Sequence, residues 1–170
     1  MFEHWGEFYL VIGGAAAVLI GLIFVVVTLM QDKPRSTMIS GARLYMGPIV
    51  LDLSLVLVLT AAALTPEIGG RQFAAIAAAV AVWGLYRGVQ STIGIRTLQW
   101  NEDPPHWTDK WWYGVAPTLL FLALGAVAWG FWSGAHWAVP GVAAVDTGIL
   151  LVAIRNEWDL VTWLAPRPDA

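Results

Sequence analysis

The chain has 170 residues, a formal net charge of −3 and no cysteine, and 58% of its residues are hydrophobic against 12% that are charged. Soluble domains carry roughly 25% charged residues, so this chain has too little charge to cover a water-facing surface. The acidic balance excludes a basic nucleic-acid-binding surface, and the lack of cysteine excludes disulfides and thiolate metal sites. The composition predicts one integral membrane domain in contact with the lipid bilayer.

Five apolar stretches predict an all-α, polytopic helix bundle, because a helix needs about 20 apolar residues to cross the hydrocarbon core. The spans are predicted over residues 9–30, 48–64, 73–95, 112–131 and 139–154. The fifth is the least defined, since Pro140 and Asp146 near its start allow a beginning as late as Thr147. Residues 155–165 mix charges with Trp and Leu, a pattern typical of an interfacial helix along the inner membrane surface.

The distribution of basic residues predicts that the N-terminus lies outside and the C-terminus inside. The first stretch is too long for a signal-peptide core and no basic residue precedes it, so it is interpreted as a retained span. Under the positive-inside rule, Arg71 is the one basic residue of the outer segments. The inner segments hold Lys33, Arg35, Arg43, Arg96, Lys110, Arg155 and Arg167.

The opening segment WGEFYLVIGGAAAVLIGLIFVVVTL places an aromatic-rich start before a Gly/Ala-rich first span. In this it resembles a group of small, uncharacterised bacterial multi-pass membrane proteins. The resemblance implies a location in the bacterial inner (plasma) membrane. It implies no activity, cofactor or functional residue.

Small residues form two stripes, and helices in lipid associate where small residues let their backbones approach closely. In the third span they recur every three or four residues and predict a helix-packing seam of Ala74, Ala77, Ala81, Gly84, Gly88 and Ser91. In the first span Glu7, Gly14, Gly21 and Thr28 recur every seven residues. This second stripe fits packing, or the wall of a pore shared by several copies, with Glu7 at its outer mouth.

Two ionisable residues at similar depth predict an ion pair inside the membrane. Asp52 and Arg87 lie on the second and third spans, about equally far from the turn that joins them. A salt bridge would neutralise both charges and fix the register of the hairpin. A proton or ion relay is the alternative role.

Asp146 has no evident partner in the sequence. One interpretation is an N-cap for a fifth helix that starts after Pro140-Gly141. The other is a titratable or ion-coordinating carboxylate on an interior face shared with Ile149, Leu150, Ala153 and Glu157.

Enzyme and metal chemistry have little support in the sequence. The sequence carries no HExxH, GxSxG or phosphate-loop motif. A zinc site of His4, Glu7 and His136 has too few ligands at supporting spacing, so neither a metal nor another cofactor is expected. If the protein were an enzyme, its site would lie in the inner loop with Asn101, Glu102, Asp103, His106 and Asp109.

The leading hypothesis is therefore a non-enzymatic, self-associating membrane protein whose oligomer conducts an ion or proton. Its path candidates are Glu7, Gly14, Gly21, Thr28 and Asp146. The alternative is an accessory or regulatory subunit of a larger membrane complex, with no conduction pathway.

Overall fold

The computed structural model describes residues 1–29, 46–97 and 107–164. A 3₁₀ turn over Glu3–Trp5 leads into α1 (Gly6–Leu29), which is followed by α2 (Gly47–Leu64) and α3 (Gly70–Thr97). The fourth stretch consists of α4 (Trp107–Lys110), a π-helical turn (Trp111–Val115) and α5 (Ala116–Ser133). The last helix is α6 (Ala138–Leu164).

The all-helical class and the five long apolar helices predicted from the sequence are confirmed. In the described part of the chain, five helices are long and apolar enough to cross a membrane. They coincide with the five predicted stretches to within a few residues at most ends. The exception is α6.

The fifth helix is longer than the stretch predicted from the sequence. α6 begins at Ala138 and continues without interruption to Leu164, so residues 155–164 belong to the same helix and do not form a separate one. Asn156, Glu157 and Leu160 are buried in this extension, which explains why it stays attached to the other helices. The same start places Asp146 eight residues inside the helix, and the N-cap interpretation is therefore wrong.

Local signals set the helix ends. Pro48 lies in the first turn of α2, where its missing N–H costs no hydrogen bond. α5 ends at Gly134, whose φ of 74° is left-handed. The amide of Ala135 then donates to the Gly130 carbonyl at 2.8 Å, closing a Schellman motif and giving a tight turn into α6.

The helices share one hydrophobic core. α1 packs on α2 and α6, α2 also packs on α6 and α3, and α5 packs on α3 and α6. α1 lies at the edge of this arrangement: 17% of its most apolar window is buried, against 39–50% for the other four helices.

Aromatic rings close one end of the molecule, where α1 and α3 begin and α5 ends. The Phe73 and Phe131 ring centroids are 4.7 Å apart, and the Phe2 ring lies 4.8 Å from Phe73 and 5.4 Å from Tyr9. Phe2, Phe73, Phe131 and the Tyr9 ring are all buried. We call this the aromatic end.

The π-helical turn at the opposite end follows from Pro117. A proline inside a helix cannot donate to the carbonyl four residues earlier, which here belongs to Tyr113. The Ser91 hydroxyl from α3 donates to that carbonyl at 3.0 Å. The Asn156 side-chain amide from α6 donates to the Trp112 carbonyl at 3.0 Å. Side chains of two neighbouring helices thus supply donors that the turn lacks.

Candidate functional site

Asp146 occupies the interior of the molecule. Its side chain has no exposed surface, and within the described residues neither carboxyl oxygen has a hydrogen-bond partner. It lies eight residues into α6, about 12 Å along the helix from Ala138 at 1.5 Å per residue. Burying a polar group without a hydrogen-bond partner is energetically unfavourable in soluble and in membrane proteins. An ionisable residue inside a membrane span is therefore a candidate functional residue.

Tyr9 on α1 is the polar neighbour of Asp146. It is fully buried, and its hydroxyl also has no hydrogen-bond partner among the described residues. α1 packs against α6, and the Asp146 carboxyl group acts electrostatically on the Tyr9 hydroxyl, although no hydrogen bond joins the two side chains. Tyr9 was not among the residues predicted from the sequence, because its position next to the aromatic residues Trp5 and Phe8 is also typical of an interfacial anchor.

Glu157 and Asp52 extend the set of buried carboxyl groups. Glu157 lies eleven residues after Asp146, three turns of helix, so both residues share one face of α6. Glu157 and Asp52 are buried, and Glu157 Oε2 has no hydrogen-bond partner in the described structure. The interior face expected from the sequence is buried at all its positions: Asp146, Ile149, Leu150, Ala153 and Glu157.

Asp146, Glu157 and Asp52 thus lie on the two helices that pack at the centre, α2 and α6. Thr60 on α2 is also buried, and its hydroxyl donates to the Leu57 carbonyl at 3.0 Å. The buried polar groups Tyr9, Asp146, Asp52 and Glu157 are called the interior polar set below.

The predicted ion pair between Asp52 and Arg87 is not formed. Among the described residues the one salt bridge joins Arg155 to Asp159, at 3.6 Å. Asp52 is buried in the core, whereas Arg87 is half-buried on α3. The small-residue face of α3 turns toward α5, and equal depth in a hairpin does not by itself bring two side chains onto facing sides.

The stripe on α1 lies outside the protomer core. Glu7, Gly14, Gly21 and Thr28 are all exposed. Among the residues that the structure describes, a Cβ atom added at Gly14 or Gly21 would meet nothing within 4 Å. The stripe and Tyr9 of the interior polar set therefore lie on opposite sides of α1, and the stripe cannot line the same passage as the interior polar set within one chain.

The seam on α3 packs inside the molecule. Ala74, Ala77, Ala81, Gly84 and Gly88 are buried, and Ser91 is half-buried. A Cβ at Gly84 would overlap the Phe121 ring, and one at Gly88 would meet the Thr118 hydroxyl. These glycines let α3 and α5 approach closely.

The other sequence candidates add no site to the described structure. In the described residues, no group of three or more His, Cys, Asp or Glu could hold a metal ion, and the proposed set of His4, Glu7 and His136 is not such a group. The loop candidates Asn101, Glu102, Asp103 and His106 lie outside the described residues, and Asp109 belongs to α4.

The interior polar set is the best-defined candidate site: buried carboxyl and hydroxyl groups between apolar helices, of which Tyr9 Oη, both Asp146 carboxyl oxygens and Glu157 Oε2 have no hydrogen-bond partner in the described structure. Comparison of the chain with protein-family models, with curated proteins and with solved structures finds no match to any of them.

Proposed function

We propose that this chain is a non-enzymatic membrane protein of five spans that self-associates and conducts protons or small cations. Its helices would form a transmembrane bundle in a bacterial inner membrane, with the N-terminus outside and the C-terminus inside. The positive-inside asymmetry supports this orientation. It places the aromatic end at the outer surface and the π-helical turn at the inner surface.

The observation that carries the proposal is Asp146, a carboxyl group without a partner deep inside an apolar helix. Burying an ionisable group in an apolar helix is energetically unfavourable, so such a residue indicates a function. In membrane proteins these residues commonly belong to ion pathways and proton relays. The interior polar set supplies further groups along the same route. Glu157 lies about 16 Å from Asp146 along α6 at 1.5 Å per residue, toward the inner surface.

The proposal places the path in the interior of each protomer and assigns the α1 stripe to self-association. The exposed glycines of α1 fit close approach of another helix. Glu7, at the outer end of the stripe, then lies beside the subunit contact, and Asp146 lies on the path.

Flux into liposomes tests this assignment. Purified protein is reconstituted with the pH dye pyranine inside, and a potassium gradient with valinomycin drives proton entry; sodium entry is followed in parallel. We expect the protein to accelerate entry of one of these ions over protein-free vesicles. Asp146→Asn should lower that flux at least tenfold, and Glu7→Gln should leave it unchanged.

The two variants are a matched pair, since each replaces one carboxylate by its amide, one in the interior and one on the outside. Helical circular dichroism and an unchanged gel-filtration profile establish that both fold. Wild-type vesicles no leakier than protein-free ones would refute conduction. Loss of flux in Glu7→Gln with normal flux in Asp146→Asn would move the path to the α1 stripe.

A second candidate function is an accessory or regulatory subunit of a larger membrane complex. The exposed side of α1 favours it, because this helix buries far less of itself than the other four. In such a subunit a partner protein would cover α1. Protein that stays monomeric in native lipid and conducts no ion would support this alternative.

A further inference from the structure

We infer that Asp146, with the Tyr9 hydroxyl beside it, is a proton-binding site that takes up and releases H⁺ and does not hold a metal cation. This inference rests on the proposed function for its role in transport and narrows the conducted species to the proton. Its geometry stands on three polar atoms, Tyr9 Oη and Asp146 Oδ1 and Oδ2. All three are buried and without a hydrogen-bond partner in the described structure.

The surroundings are too poor in oxygen ligands for a metal cation. Hard cations such as Ca²⁺ and Mg²⁺ take about six or more oxygen ligands in proteins. Asp146 and Tyr9 supply three side-chain oxygens. The nearby hydroxyl of Thr147 already donates to the Ala143 carbonyl at 2.8 Å, and the flanking interior residues Val142 and Ile149 are apolar.

A proton needs no such shell. The neutral carboxyl group fits a dry, apolar setting, whereas a carboxylate there needs a donor. Tyr9 is the buried hydroxyl available for this: once the proton has left, a shift that brings its Oη within hydrogen-bonding distance lets it donate to the carboxylate, and a hydroxyl donates to an ionised oxygen in a short, strong hydrogen bond. The proton is passed on as H⁺, and no bond other than O–H is made or broken.

The ionisable groups on the elements around α6 are few, so the titration of Asp146 has few partners. α1 contributes buried Tyr9 and exposed Glu7, and α2 contributes Asp52. α5 carries no ionisable side chain, and in the π-helical turn the Tyr113 hydroxyl donates to the Asn156 carbonyl at 2.9 Å. On the buried face of α6 itself, Glu157 lies three turns away.

Infrared difference spectroscopy of the full-length protein in lipid tests the site without any flux measurement. Subtracting the Asp146→Asn spectrum from that of the wild type should reveal the C=O stretch of a protonated carboxyl group. Transfer to D₂O should shift this band, since a proton-transfer site exchanges its proton with solvent. Tyr9→Phe should change the frequency of the band without removing it. Replacing choline chloride by sodium chloride should leave it unaltered.

Asp159→Asn is the matched control, because Asp159 lies on the same helix but its side chain is 45% exposed and paired with Arg155, and its difference spectrum should lack the band. If Asp146→Asn fails to fold, the inference is tested with Asp146 intact, by the frequency change of the carboxyl band in Tyr9→Phe and by its shift in D₂O. A difference spectrum without the band, a band that does not respond to D₂O, or a band that sodium removes would each overturn the inference. An exchanging band in a protein that conducts no ion would confirm proton binding while refuting the proposed conduction.

Discussion

Asn156 shows how one polar residue attaches a long apolar helix to its neighbours. Its side-chain amide donates to the Trp112 carbonyl, and its own backbone carbonyl accepts from the Tyr113 hydroxyl. The guanidinium group of the adjacent Arg155 lies over the Trp112 ring, 4.9 Å from the ring centroid. Arg155 Nη1 also donates to Asn156 Oδ1 at 3.3 Å. The residue therefore joins α6 to the π-helical turn through both its main chain and its side chain.

We predict that Asn156→Leu destabilises the folded state. The substitution removes the donor to the Trp112 carbonyl, and leaving a buried carbonyl unpaired costs about 1–3 kcal/mol. A denaturant titration in detergent micelles, followed by tryptophan fluorescence, measures the difference in free energy of unfolding. Asp159→Asn is the control, since it removes an exposed ion pair worth less than about 1 kcal/mol. Equal stability of Asn156→Leu and wild type would contradict a structural role for this contact.

Single residues also show where the sequence alone was insufficient. The cost of a charge in lipid drew attention to Asp52, Arg87 and Asp146, but the surroundings of each side chain depend on how its helix is rotated about its axis. Counting residues from the hairpin turn gives the depth of a side chain but not the direction in which it leaves its helix. The count therefore predicted a pair of Asp52 and Arg87, which form no salt bridge. Tyr9 had no distinguishing signal, because its importance arises from contact with a helix more than 100 residues away in the chain.

At the level of the helices, the contact between α3 and α5 is built on glycine. Phe121 is fully buried, and its ring lies where a side chain at Gly84 would be. In lipid this contact gains little from burying apolar surface, since the lipid tails are equally apolar. Close packing of backbone and ring is therefore its main source of stability.

We predict that Gly84→Ala weakens this contact. The added methyl group overlaps the Phe121 ring, and forcing extra volume into a packed core costs about 1–3 kcal/mol. Gly125→Ala is the matched control on the facing helix, because its Cβ would meet only the Ala81 Cβ, at 4.0 Å. That control should be neutral or gain the ~0.5–1 kcal/mol by which Ala exceeds Gly in a helix. Stability is read from thermal unfolding in detergent, and equal losses in the two variants would show that α3 and α5 pack differently.

The predicted helices were accurate where hydropathy was uniform. α2 was placed to within one residue at its start, because Pro48 and Pro66 bracket an apolar run. α6 was cut ten residues short, since Arg155, Glu157 and Asp159 resemble the polar end of a span. Burial of Asn156 and Glu157 by neighbouring helices stabilises this extension. The average hydropathy of one segment could not predict it, because that average contains no information about neighbouring helices.

For the whole molecule, the position of α1 matters most. The other four helices share their faces with several neighbours, while α1 contacts α2 and α6 with one side and leaves the stripe of Glu7, Gly14, Gly21 and Thr28 exposed. On the inner side of the same helix, Tyr9 is fully buried and belongs to the interior polar set. If copies associate through the stripe, a single helix connects the subunit contact with the proposed proton site.

The proposed self-association predicts that Gly21→Leu separates the subunits without unfolding them. A Cβ atom at Gly21 meets nothing within 4 Å in the described structure and Gly21 is exposed, so the free energy of unfolding of the monomer should not fall. At a helix–helix contact the leucine side chain would block close approach and weaken association at least tenfold, a change of ~1.4 kcal/mol.

Subunit counting by single-molecule photobleaching in lipid nanodiscs measures the number of chains in each oligomer. Val82→Leu, on the exposed side of α3, is the control and should leave the oligomer intact. An oligomer that tolerates Gly21→Leu would place the subunit contact elsewhere, and a wild-type monomer would favour the accessory-subunit alternative.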